Sequence, residues 1–189
     1  MPRISFPTPE TMDAEQRRVH DKVVSGRRGK MVGPLRAALH SPELADRWQA
    51  LGEFLRYNTS LSPRLSELAI LVTGRACNSP FEWYAHHAEA LKAGIEQTII
   101  DELLAQRMPH GLSEDEAAVV QYASELNRMN SVSDATYAAT LARFGEKTVV
   151  ELTALVGYYT MVAMTLNAHE IPLPEGVRAA FDLPQKAVV

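Results

Sequence analysis

The sequence predicts an all-α protein, and three observations carry that prediction. Apolar residues recur every three to four positions along most of the chain. Ser-Pro pairs stand where several of these runs begin, at 41–42, 62–63 and 79–80. No segment alternates with the period of two that a half-buried strand needs, and no hairpin-turn dipeptide joins two such segments.

Whole-chain properties narrow the class. A chain of 189 residues suits one domain with a sizeable core. Apolar residues make up 46% and charged residues 22%, the balance of a soluble globular protein. A net charge of −4 argues against nucleic acid as a main partner, since phosphate binding calls for a basic surface. Cys77 is the only cysteine, which excludes an intramolecular disulfide and a dithiol redox cycle within one chain. The N-terminal residues lack an apolar run of signal-peptide length. The longest apolar stretch, Val149 to Leu166, contains Glu151 and reads as a buried helix rather than a membrane span. A cytoplasmic protein without membrane contact is expected.

Taken in order, residues 1–9 hold Pro2, Pro7 and Pro9 and read as an extended arm. Thr8 or Thr11 is the candidate cap of a helix that Gly26 stops. The loop that follows carries Arg27, Arg28 and Lys30, either as a solvated segment or as cover for an anionic substrate. Pro34 begins a short helix, and Ser41-Pro42 opens one whose Leu44, Trp48, Leu51 and Leu55 form an apolar face. Ser62-Pro63 starts a helix that is apolar almost all round, which implies deep burial. Glu67 lies inside it. A buried carboxylate must be paired, hydrogen-bonded or protonated; one near an exposed helix start has no such constraint.

Asn78-Ser79-Pro80 breaks the chain, with Ser79 as the candidate cap of the next helix. Glu82 and His86, four residues apart, share one face of that helix, while His87 points about 100° away. The spacing fits a shared site, but by itself it favours a surface Glu–His pair. Gly94 closes the helix, and a short amphipathic helix follows. Ser113 and Glu116 form a capping box, Ser133 caps a further helix, and Gly145 breaks it before a long apolar one. Gly157 inside that helix suggests close packing, because glycine there costs about 1 kcal/mol against alanine. Pro172 and Pro174 end it, leaving a short helix and tail over 175–189.

The chemistry these residues support is restricted. The chain has no phosphate-binding glycine loop, GxSxG elbow or dinucleotide fingerprint. Glu82 with His86, and His169 with Glu170, have metal-ligand character, but no HExxH or paired ExxH repeat accompanies them. Neither metal nor organic cofactor is therefore expected. Cys77 reads as a buried thiol or, alternatively, as a peroxide-reactive thiolate. Glu67, Glu82 and His86 remain as a group able to move protons without a cofactor.

The stretch from Glu67 to Ile95 resembles the hairpin of the carboxymuconolactone decarboxylase family, whose fold is shared with alkylhydroperoxidase D. Glu67, Asn78, Glu82-Trp83, His86 and Gly94 carry the resemblance in order and spacing. It extends over roughly Pro34 to Pro174, so that 34–174 reads as the family domain and 1–33 as an added arm, helix and loop. The resemblance implies an AhpD-like helical bundle, assembled as a homo-oligomer (a trimer or hexamer). In the peroxidase branch a Cys-x-x-Cys pair occupies the positions of Ser79 and Glu82, so that redox pair is absent here. In the decarboxylase branch a glutamate and the hairpin histidine handle protons, which implies His86, Glu82 and Glu67 as catalytic residues. Arg75, Ser79, Asn78 and Trp83 are the accompanying candidates for binding a small carboxylated, lactone-like substrate. A thiol-dependent peroxide reductase using Cys77, and a non-catalytic ligand-binding oligomer, are the alternatives.

Overall fold

The computed structural model describes residues 2–183, which form eight helices and no strand. They are α1 (Ala14–Ser25), α2 (Pro34–Ala38), α3 (Pro42–Tyr57), α4 (Pro63–Ala76), α5 (Pro80–Lys92), α6 (Gln97–Leu104), α7 (Glu114–Met129) and α8 (Asp134–Ala168). Helix α4 is the axis. Every residue from Ser66 to Gly74 is buried, because α5, α6, α7 and α8 all pack around it. An apolar sequence on all sides is what such a position requires. Leu68 and Leu71 of α4 join Val119 of α7 and Leu152 and Leu155 of α8 in one core. Val19 and Val23 bring α1 into the same core.

The Ser-Pro pairs locate three helix starts correctly, but only one serine caps with its side chain. Ser62 Oγ accepts from Leu65 N, whereas the hydroxyls of Ser41 and Ser79 make no capping bond. The box at Ser113 and Glu116 forms as expected, with Glu116 accepting from Ser113 N at 2.7 Å. The first helix differs from expectation. Neither Thr8 nor Thr11 caps it; they close a turn instead, and Asp13 with Gln16 makes a reciprocal capping box. Asp and Gln at this spacing satisfy two terminal N–H groups at once.

Helix α3 buries Ala45, Trp48, Gln49, Gly52 and Leu55. The inward stripe thus lies one position round from the expected one. It keeps Trp48 and Leu55 and leaves Leu44 and Leu51 exposed. Gly157 also departs from expectation, since a Cβ there would meet nothing within 4 Å. Close approach occurs at Gly74, where a Cβ would lie 3.2 Å from Glu82 Cβ, and at Gly52.

Gly145 interrupts α8 with φ 75°, a conformation suited to glycine. By length and composition α8 would pass as a membrane span, yet 56% of its most apolar window is buried inside the protein. It is the core helix. Glu151 within it accepts Ser60 N–H at 2.6 Å and so ties down the α3–α4 connection. The short helix expected after Pro174 is absent from 175–183. Glu175 and Gly176 form a turn there, with Gly176 at φ 78°. The rest of that expected segment, 184–189, lies outside the described residues.

Candidate active site

The α4–α5 hairpin is set by its backbone. Asn78 adopts φ 49°, Asn78 N–H reaches Arg75 O and Ser79 N–H reaches Gly74 O. This is a Schellman closure with asparagine in the left-handed position, and it turns the chain back so that α5 runs along α4. Gly74 then lets the first turn of α5 lie directly on α4. The result brings Glu67, from the middle of α4, onto His86 of α5.

His86 Nδ1 lies 2.7 Å from Glu67 Oε2, and both side chains are buried. A carboxylate only accepts, so this bond places a proton on Nδ1 and leaves Nε2 as the free ring nitrogen. Nε2 faces Glu82 Oε2 at 3.6 Å, too far for a hydrogen bond. Glu82 Oε2 is buried and has no hydrogen-bond partner among the described residues. Burial pushes the Glu82 carboxyl up, against the opposing pull of His86 and Arg56. The imidazole is packed edge-on against Tyr159, with ring centroids 4.9 Å apart, and Tyr158 packs edge-on against Tyr159 at 5.3 Å. Burial drives the Tyr159 phenol well above its ordinary range, so it remains a neutral donor.

Two cations face this group, and they arrive from outside the hairpin. Arg56, at the end of α3, is held charged by Tyr159, Tyr57, Glu67 and Glu82, which outweigh the effect of its own burial. Its guanidinium sits 5.2 Å from the centre of the Tyr57 ring. Arg28 comes from the loop between α1 and α2, and its Nη2 lies 3.5 Å from Tyr158 Oη. Arg27 of the same loop stacks over Tyr57 instead, at 4.2 Å, while Lys30 is exposed. Arg56, Tyr158 and Tyr159 were not legible as site residues. Arg56 lies on α3 and the two tyrosines on α8, and no spacing relation connects either helix to the hairpin.

The remaining candidates lie elsewhere. Arg75 donates to Leu104 O at 2.8 Å and to Asn78 Oδ1 at 2.9 Å, and its guanidinium lies over Phe181. It braces the turn and α6. Asn78 shapes the turn, and Trp83 is buried edge-on against Phe181. Ser79 is fully buried with its hydroxyl unpartnered. Cys77 opens into a cavity of about 620 Å³ lined by Pro80, Phe81, Asn167 and Phe181, none of which belongs to the His86 group. Burial pushes its thiol up, more than the Thr160 hydroxyl lowers it. His87 stays outside the group, half-buried on another face. Among the described residues, no three His, Cys, Asp or Glu side chains are arranged to hold a metal ion.

The comparisons agree with this frame. Residues 42–125, from the start of α3 through most of α7, match the model of the Carboxymuconolactone decarboxylase family. The fold superposes on a peroxidase-related protein from Ralstonia eutropha JMP134, described as an alkylhydroperoxidase AhpD core. The TM-score is 0.76 at 15% identity, covering 92% of this chain and 93% of that one. A peroxidase-related protein from Silicibacter sp. TM1040 gives the same TM-score, 0.76, at 15% identity and the same coverage of 92% and 93%. A debrominase, Bmp8, in complex with 2,3,4-tribromopyrrole aligns with TM-score 0.70 at 11% identity over 87% of this chain and 88% of its own. No curated protein matches the chain. The chain is thus similar to the carboxymuconolactone decarboxylase family over residues 42–125, and its fold is that of the AhpD-like proteins.

Proposed function

We propose that this protein is a cofactor-independent acid–base enzyme that decarboxylates a small carboxylated, lactone-like compound. The supporting observation is the polarity of His86. Glu67 fixes its Nδ1 at 2.7 Å, and its Nε2 faces a Glu82 oxygen that has no hydrogen-bond partner of its own. Glu67 then orients the imidazole, His86 moves the proton, and Glu82 holds or relays it. In the reaction the bond to the departing carboxylate breaks and its electron pair delocalises into the lactone as a dienolate. The His86–Glu82 pair returns a proton to carbon. A carboxyl raised by burial suits that role, because it keeps its proton nearer neutral pH.

The thiol reading is weaker. Cys77 has no second cysteine, and its burial opposes thiolate formation. Assembly into a homo-oligomer and a cytoplasmic setting belong to the same proposal. The outward side of α8, with Val150, Met161, Met164 and an uncovered Gly157, supports the assembly, and light scattering in solution tests it.

The deciding experiment follows carbon dioxide release from carboxymuconolactone by the wild type, His86→Ala and Cys77→Ser. The expected result is release by the wild type, a loss of about 10²–10⁴-fold in His86→Ala and little change in Cys77→Ser. Full activity in His86→Ala, or none in the wild type, overturns the proposal. Peroxide consumption that disappears in Cys77→Ser establishes the thiol enzyme instead.

A further inference from the structure

The loop between α1 and α2 delivers one guanidinium to the site with its hydrogen-bonding capacity largely unused. Among the described residues, Arg28 Nε is buried without a hydrogen-bond partner, and Nη2 makes only the long 3.5 Å contact with Tyr158 Oη. Arg28 forms no ion pair among the described residues, although eleven other Arg, Lys and His side chains do. Nε and Nη2 together are the side-on edge of a guanidinium, the edge that takes a carboxylate through two parallel N–H···O bonds. A buried N–H left in this condition on a half-buried guanidinium is destabilising unless something completes it.

The wall behind that edge is built to admit it. A Cβ at Gly52 of α3 would stand 2.3 Å from Arg28 Nη2 and 2.0 Å from Tyr158 Oη. Only the missing side chain lets the guanidinium and the phenol lie on the helix backbone. Tyr158 then packs on Tyr159 and Tyr159 on His86, at 5.3 and 4.9 Å between ring centroids. Two aromatic rings, Tyr158 and Tyr159, therefore link the fork to the imidazole, and Arg28 is near enough for its charge to act on the Glu82 carboxyl.

The geometry points to Arg28, seated on Gly52 and Tyr158, as the anchor for a carboxylate of a small-molecule ligand whose reacting carbon lies toward His86. This inference rests on the acid–base reading in taking the ligand to be a small carboxylated molecule. It goes beyond that reading in naming the residue that recognises the carboxylate. The two arginines divide the work: Arg56 balances the charge of Glu67 and Glu82, and Arg28 binds.

Binding of muconolactone, a lactone with one carboxylate, and of its methyl ester tests the assignment by calorimetry in the full-length protein. The wild type is expected to hold the acid about tenfold more tightly than the ester. Arg28→Met removes that preference and leaves ester affinity unchanged. Arg28→Lys, which keeps the charge and loses the fork, recovers only part of it. Thermal melts of both variants establish that they are folded. A wild type that does not prefer the acid, or an Arg28→Met variant that keeps the preference, overturns the anchor. The readout does not depend on turnover. Acid binding through Arg28 without carbon dioxide release sinks the decarboxylase and leaves the anchor. Turnover with an Arg28-independent acid preference does the reverse.

Discussion

Helix α4 carries two polar clusters one turn apart, and they are built on opposite principles. At its N-terminal end Arg64 uses all of its guanidinium. Nη2 pairs with Glu96 at 2.7 Å, Nε with Glu116, and Nη1 with the carbonyl of Gly94. Burial would raise the Glu116 carboxyl, but Arg64 and the Ser113 N–H outweigh it and hold it low; Arg64 does the same for Glu96. Three residues on, Glu67 and His86 pair tightly, yet Glu82 is left raised and unpartnered. One cluster closes every hydrogen bond and clamps α4 to α6 and α7. The other keeps a bond open in the same helical frame.

The contrast can be broken first at Gly52. Gly52→Ala places a methyl group against the rigid end of Tyr158 and should destabilise by about 1–3 kcal/mol, the usual effect of overpacking. Denaturant midpoints measure it, with unchanged slope showing that only stability has moved. Arg64→Met should lower stability by about 1–2 kcal/mol, because Glu116 loses its partner while remaining buried. Turnover per folded molecule should not change, and a loss of turnover equal to that of His86→Ala would erase the distinction between the clusters.

The two carboxylates supply the subtlest test, since their pH dependences have opposite signs. The folded carboxyl of Glu82 lies above its ordinary 4.5, so wild-type stability falls as pH rises from there through the folded value. Glu82→Gln should thus melt higher than the wild type at neutral pH, by roughly 2–4 °C per kcal/mol relieved. The difference should vanish at acid pH. Glu116 lies below 4.5, so its contribution is present above that pH and is lost as pH falls through its folded value. Glu116→Gln should melt lower at neutral pH and converge with the wild type in acid. Melting curves with the same sign for both variants would refute the comparison.

Much of this was legible in the sequence because local signals set it. Ser-Pro pairs, the Ser113–Glu116 box and Gly145 mark helix ends through bonds made within a few residues. Glu82 and His86 could be placed on one face by spacing alone. Glu67 joined them only through the hairpin that the break at Asn78-Ser79-Pro80 implied, and the family resemblance supported that grouping. The errors have a common origin. Leu44 and Leu51 are apolar but exposed, so periodicity placed the buried face of α3 one position away. Residues 175–183 are helix-compatible in composition, but they are a short segment anchored chiefly through Phe181 on Trp83 and Arg75, which favours no helix. Arg28, Arg56 and Tyr159 reach the site from separate elements, and only tertiary structure brings them together.

The Schellman closure at Asn78 has a consequence for how this scaffold changes its chemistry. The hairpin is held by main-chain bonds, Ser79 N–H to Gly74 O and Trp83 N–H to Ser79 O, which require no particular side chain at 79 or 82 other than the exclusion of proline. The side chains at both positions point inward and neither makes a hydrogen bond that the turn needs. Positions 79 and 82 are therefore interchangeable sockets in a fixed mount. Cysteine in both would set two buried thiols about one helical turn apart at the start of α5 without rebuilding the frame. Inserting a single residue within the first turn of α5 would instead rotate the rest of that helix by about 100° and carry His86 away from Glu67. Such a hairpin tolerates changes of residue far better than changes of length.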